Sequence, residues 1–216
     1  MVTIFENCTI FDGSSSKLIE NSSILVESDR IKEISVGRIK MAGARYVDCQ
    51  HRVLMPGLID AHIHAYTPTF SFYNNDRVPM SLMANHAAKI LKGMLHRGFT
   101  TVRDAAGADR GLWLAIEEGL IQGPRLFYSG KAISQTGGHG DMRPGDVIEP
   151  CGCSGYSGLV SVVADGVDEV RKAVREELRQ GAHQIKIFVS GGVTSPSEPI
   201  EMNQFTEQEI RVAVYE

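Results

Sequence analysis

From Pro56 onward, apolar strand-like runs alternate with segments of helical periodicity, and this constrains the fold more than any other feature of the 216 residues. The first strand is Leu58 to His64. A loop containing Pro68, Asn74, Asn75 and Pro79 leads to a helix from about Ser81 to Arg97, with Leu82, Ile90, Leu91, Met94 and Leu95 as its apolar stripe and Gly98 as its stop. The second strand, Phe99 to Asp104, precedes a short helix over about Leu112 to Glu118. The third, Arg125 to Ile133, opens into a long glycine-rich loop that includes Gly137-Gly138-His139-Gly140-Asp141 and continues past Tyr156. A helix from about Val167 to Arg179, with Val167, Val170, Val174 and Leu178 at helical spacing, leads to the fourth strand, Gln184 to Val189. Such alternation predicts an α/β fold, a parallel sheet with right-handed crossovers. Four units, the last with Thr206-Glu207-Gln208-Glu209 as a capping box that opens its helix, correspond to the first half of a TIM-type (β/α)8 barrel.

Residues 1–55 read differently. Thr3 to Asn7, Cys8 to Phe11, Ser23 to Glu27, Ile31 to Val36 and Arg45 to Cys49 are short strands separated by turn residues, which predicts a small β-sandwich module ahead of a barrel portion over residues 56–216. Hydrophobic residues make up 43% and charged residues 22% of the chain, and the net charge of -4 offers no basic footprint for nucleic acid. No apolar run approaches a membrane span, and the N-terminus lacks the pattern of a secretory signal, so a cytoplasmic enzyme is expected. Cys151 and Cys153 are too close for a structural disulfide framework, and reduced loop thiols are expected.

The chemistry concentrates at strand ends. His62 and His64 alternate with Ile63 and therefore share a strand face, a pairing that supplies half of a metal site. Asp60 adds a carboxylate on the same face that could orient an imidazole. Lys186 stands alone in an otherwise apolar strand, where an ammonium is costly unless it is paired, snorkels out or loses its proton. A neutral amine there could take up carbon dioxide as a carbamate, an anionic oxygen ligand able to bridge two metal ions. His139, in its glycine-rich setting, could offer a hydrogen bond or a proton to a ligand, or be an exposed loop histidine. Asp104 ends the second strand at the same rim, as a substrate contact or as an ion pair with Arg103. Ser190-Gly191-Gly192 could leave amide groups free to cradle an anion. His51, His86, His96 and His183 lie away from the strand ends and read as structural or solvated.

The stretch Met55-Pro56-Gly57-Leu58-Ile59-Asp60-Ala61-His62-Ile63-His64 closely resembles the first-strand signature of the amidohydrolase superfamily. Thr100 to Asp104, Gly137 to Gly140 and Ile185-Lys186-Ile187 extend the resemblance along essentially the whole chain, and point to the Xaa-Pro dipeptidase and imidazolonepropionase-like branch. The resemblance implies two divalent metal ions, usually zinc, with His62 and His64 on one ion and a carboxylated Lys186 bridging both. It implies that His139 binds the substrate carbonyl or carboxylate. A metal-activated hydroxide would cleave the C–N bond of a small amide, such as an Xaa-Pro dipeptide or an N-acyl amino acid. Cyclic-amide, ester or lactone hydrolysis is the alternative within this class. The family's fifth to eighth strands, with two further histidines and the aspartate general base, have no counterpart in this sequence. The chain is therefore expected to be the N-terminal portion of a longer enzyme, or to associate with a complementary chain or with copies of itself. A non-catalytic half-barrel acting only through such association is the reading from a different class.

Overall fold

Asn7 and its neighbours show how the N-terminal segment turns an irregular sequence into one continuous strand. In a computed structural model, which describes residues 1–69, 75, 78–143, 159–193 and 198–216, β1 runs over Val2–Ile10 without a break. Asn7 takes a left-handed backbone (φ 54°) and the register against β2 (Ile19–Glu27) shifts on both sides of Cys8. A bulge thus joins two expected strands into one. β3 (Arg30–Val36) pairs antiparallel with β2, while β4 (Arg45–Asp48) and β5 (Val53–Leu54) pair parallel with β1, giving the order β3-β2-β1-β4 with β5 also on β1. The expected sandwich is a single five-stranded sheet among the described residues. One set of alternating side chains, Ile4 and Leu25 with Ile39, forms a small core. The other set clusters Cys8, Ile10 and Ile24 with Phe5, Val26 and Leu54, and all of these but Cys8 line an apolar hollow of about 350 Å³ together with Ile31, Ile34, Met55 and Pro56.

Contacts divide the chain into two units, Met1–Gly57 and Leu58–Glu216. The second begins with β6 (Leu58–Ile63), followed by α1 (Met80–His96), β7 (Phe99–Asp104), α2 (Arg110–Glu117) and β8 (Arg125–Tyr128). The three strands form a parallel sheet in the order β6-β7-β8, the arrangement that strand-helix alternation predicts. Helix α1 buries Met83, Ala87, Leu91 and Met94 against Val102, Leu126 and Tyr128. Leu91 and Met94 are buried as expected, whereas Met83 and Ala87 take the inner face at the start of the helix and Leu82 is exposed. Asp109 caps α2 by accepting the Leu112 N–H at 2.8 Å.

The expected third and fourth strands depart most from the sequence reading. The third is interrupted at Gly130, which takes a left-handed backbone (φ 68°), and resumes as β9 (Ala132–Ser134). An unforeseen β10 (Ser161–Val163) pairs parallel with β9 on one side. On the other side, the segment expected as the fourth strand is reduced to a single parallel bridge, Ile133 to Ile187, held by Ile133 N–H to the Lys186 carbonyl (2.8 Å) and Phe188 N–H to the Ile133 carbonyl (3.0 Å). The jog at Gly130 removes the intervening ladder partners. Helix α3 (Gly166–Arg179) buries Val170, Ala173, Val174 and Glu177 and leaves Leu178 exposed, and α4 (Glu207–Tyr215) packs beside it. Alternating strands and helices are thus the architecture of this unit. Asn74, Cys151, Cys153 and Tyr156 lie outside the described residues; Cys8 and Cys49 are free thiols, and burial pushes the Cys8 thiol up to about 11.

Candidate active site

Three chain segments meet at the C-terminal ends of β6, β7 and β9. His62 and His64 come from the first, their ring centroids 5.2 Å apart and their planes inclined at 72°, with Ile63 turned into the core. His62 is exposed and His64 half-buried. The Ala106 carbonyl accepts a hydrogen bond from His64 Nδ1 at 3.2 Å, which fixes the proton on that nitrogen in the neutral ring and leaves Nε2 as the available lone pair. Burial pushes the His64 imidazole below its ordinary value, opposed by the Ala106 bond and reinforced by His62 and Lys186.

Asp60 does not orient an imidazole. Its Oδ1 accepts the backbone N–H of His62 at 3.1 Å. Asp104, expected at the rim as a substrate contact, lies beneath it with no exposed surface. Its Oδ2 accepts the Ala65 N–H at 2.6 Å, and its Oδ1 accepts those of Ala106 (3.0 Å) and Ala108 (3.1 Å). Burial outweighs these three donors and raises the Asp104 carboxyl to about 7. Asp104 therefore ties the end of β6 to the turn after β7, the turn whose Ala106 carbonyl holds His64. The expected Arg103–Asp104 ion pair does not form, since Arg103 Nε donates to the Ala61 carbonyl at 2.7 Å.

Lys186 is half-buried beside Phe188, its Nζ 5.1 Å from the ring centroid, and no carboxylate among the described residues pairs with it. Burial, with the Arg103 guanidinium nearby, pushes the ammonium below its ordinary value. His139 faces a small cavity of about 40 Å³ whose walls also include His64, Gly140, Ser161 and Phe188. The loop is held at both ends of its turn: Gly140 N–H donates to Ser134 Oγ at 3.0 Å, and His139 N–H to Gln204 Oε1 at 3.0 Å. The His139 ring bonds through Nδ1 to Glu198 Oε1 at 2.7 Å. Nothing in the spacing of the sequence signals Glu198, which is 59 residues away and reaches His139 only through the turn of the chain after Ser190. Gly191 N–H donates to the Met202 carbonyl, so the expected anion cradle at Ser190-Gly191-Gly192 lacks that amide.

The expectation of two divalent ions, zinc in particular, is not met. Among the described residues no group of three or more His, Cys, Asp or Glu side chains is placed to hold a metal ion. Two imidazoles meet, but the neighbouring carboxylates are engaged elsewhere: Asp60 by His62 N–H, Asp104 by three backbone donors and Glu198 by His139. Lys186 as an ammonium offers no donor pair. No helix among the described residues is long and apolar enough to cross a membrane.

The histidines and the half-buried lysine thus stand at the C-terminal ends of parallel strands, the face on which β/α folds carry their active sites. Residues 53–216 match the Amidohydrolase family, and the chain belongs to it. Ochratoxinase of Aspergillus niger is 36% identical over a 231-residue alignment that covers 100% of this chain and 48% of that protein. A prolidase crystallised with N-methylphosphonate-L-proline is 44% identical, with a TM-score of 0.92, over 100% of this chain and 53% of that one. Imidazolonepropionase of Thermoplasma acidophilum is 27% identical over 199 residues, covering 83% of this chain and 46% of that protein. The chain spans about half the length of the curated relatives it matches.

Proposed function

We propose that this chain is part of an amidohydrolase that cleaves the amide bond of a small substrate carrying a free carboxylate, an Xaa-Pro dipeptide or an N-acyl amino acid. The observation that carries this reading is the likeness, at 44% identity over the whole of this chain and 53% of that one, to a prolidase whose structure holds a phosphonate of L-proline. The site's own chemistry supports it. His64 is held with its Nε2 available, and His139 lies across a water-sized cavity from it, where its protonated ring donates to a carbonyl or carboxylate oxygen. His62, His64 and Lys186 form the cationic and basic rim at which the reacting carbonyl binds, and Asp104 supports it from below.

Lys186 carries a further part of this reading. In its neutral form, Nζ adds through its lone pair to the carbon of dissolved carbon dioxide, an N–C bond forms, and a proton leaves to solvent. The resulting carbamate places an anion where Arg103 and His64 otherwise face only a cation. We read residues 1–55 as a β-sandwich portion and residues 56–216 as the first half of a (β/α)8 barrel completed by a complementary half. The exposed edge strand β6, where Ile59 is 70% exposed, supports that completion.

The test is a hydrolysis survey of the purified protein with Xaa-Pro dipeptides, N-acyl amino acids and cyclic amides, followed by amino-group release. Proline or amino acid release from the first two groups is the expected result. Turnover of cyclic amides alone would move the assignment to the imidazolonepropionase type, and a folded protein inert to all three would leave the non-catalytic half-barrel. Carbon-13 NMR under labelled carbon dioxide checks Lys186 separately: a carbamate resonance that disappears in Lys186→Met is expected, and its absence from the parent protein refutes the modification.

A further inference from the structure

The chain after the Ser190–Asn203 bridge turns back on itself. Gly191 N–H donates to the Met202 carbonyl, Met202 N–H to the Pro199 carbonyl, and Gln204 N–H to the Val189 carbonyl, all at 3.0 Å. This turn carries Glu198 against the flank of the His139 loop. The Glu198 side chain is only 1% exposed and that of His139 17%, with 2.7 Å between Oε1 and Nδ1. A carboxylate removed from water to that extent needs hydrogen-bond donors, and the ring nitrogen of His139 is one of them.

Two further contacts crowd the ring. Phe188 meets it edge to face, with centroids 5.0 Å apart and planes at 85°. Gly192 lies so close to the ring that a Cβ at that position would overlap Cε1 and both nitrogens of the imidazole. With Nδ1 bonded to Glu198, the Nε2 edge is the one left for the cavity shared with His64.

We propose that Glu198 is a positioning residue that fixes the tautomer and orientation of His139, and that Gly192 is a glycine because the imidazole occupies the space its side chain would need. Glu198 holds the neutral ring's proton on Nδ1, so that Nε2 accepts from the substrate; when the ring is protonated, the same carboxylate balances the charge while Nε2–H donates to a substrate oxygen. The link to substrate rests on the amidohydrolase reading above, whereas the geometry of the pair does not.

The experiment compares the parent protein with Glu198→Gln, Glu198→Ala and Gly192→Ala. Nitrogen-15 NMR of the imidazoles at alkaline pH reads the His139 tautomer directly. The expected result is Nδ1–H in the parent and in Glu198→Gln, whose amide oxygen still accepts, with a shift towards Nε2–H in Glu198→Ala. Steady-state kinetics with the substrate found in the survey should show kcat/KM falling by about tenfold or more in Glu198→Ala and Gly192→Ala, with rescue by Glu198→Gln. His139 resonances in a folded Glu198→Ala identical to those of the parent would overturn the proposal, as would unchanged kinetics in that variant. If the parent cleaves no amide at all, the functional reading fails while the NMR comparison still decides the role of Glu198.

Discussion

At the scale of single residues, Asp104 shows how a strand-end carboxylate can serve the site without touching substrate. Its two oxygens take the N–H groups of Ala65, Ala106 and Ala108. Asp104→Asn must set an amide NH2 against at least one of these donors, and a loss of about 1–3 kcal/mol is expected in urea denaturation. The pH dependence should also change. The folded protein holds the Asp104 proton up to about 7, above the ordinary 3.8, so between those values the folded state binds more protons than the unfolded one. The contribution of Asp104 is therefore fully present below about pH 4 and is lost as pH rises through about 7. Denaturation at pH 4.5 and 7.5, both chosen as roughly bracketing values, should show this downward component in the parent and not in Asp104→Asn. An identical difference in both proteins would refute it.

At the scale of elements, the jog between β8 and β9 and the junction of α3 with α4 determine where His139 and Lys186 stand. Gly130 is left-handed, and a Cβ there would overlap the Glu177 carboxyl group, which accepts the Lys131 N–H at 3.1 Å from α3. Gly130→Ala should cost at least about 1–2 kcal/mol for the backbone alone, before the overlap is added, read as a lower denaturation midpoint. At the junction, Thr206 and Glu209 form the capping box of α4, as the sequence Thr206-Glu207-Gln208-Glu209 predicts. The other Glu209 oxygen accepts Gly166 N–H at 2.6 Å, so one carboxylate serves the first turns of two helices. Glu209→Ala is expected to cost about 1–2 kcal/mol, and Gln208→Ala, one residue away outside this network, about 0.5 kcal/mol or less. Equal effects would deny the double role.

At the scale of the whole molecule, the second unit leaves several large apolar side chains exposed. Ile59 on β6 is 70% exposed, and Val214 and Tyr215 near the end of α4 are 82% and 87% exposed. If a complementary half closes the barrel against β6, Ile59→Asp in the assembled protein should lose about 1–3 kcal/mol, the cost of burying an unpaired polar group. At a position that stays open to water the same change would fall within about 0.5 kcal/mol, and that result would remove the proposed closure at this edge.

The course of β7, the start and end of α1, and the capping box of α4 were legible because each depends on residues near one another in sequence: alternation, a glycine stop, a Thr-x-x-Glu spacing. The approach of His62 to His64 was legible for the same reason. Other features depended on partners far along the chain. The fourth strand, Gln184 to Val189, has the composition of a strand but becomes a single bridge because its neighbour breaks at Gly130. Asp104 reads as a rim acid, yet three amides brought together by the ends of β6 and β7 draw it beneath the surface. The expected metal pair failed on the same ground, since the side chains near the two histidines were already bonded elsewhere. By itself the sequence determined the alternation of strands and helices, the family, and the shared face of His62 and His64, because short-range periodicity and spacing encode them. Only the tertiary structure decided which carboxylate meets which partner, Glu198 to His139 and Asp104 to the backbone, because hydrogen bonds are satisfied by proximity in space.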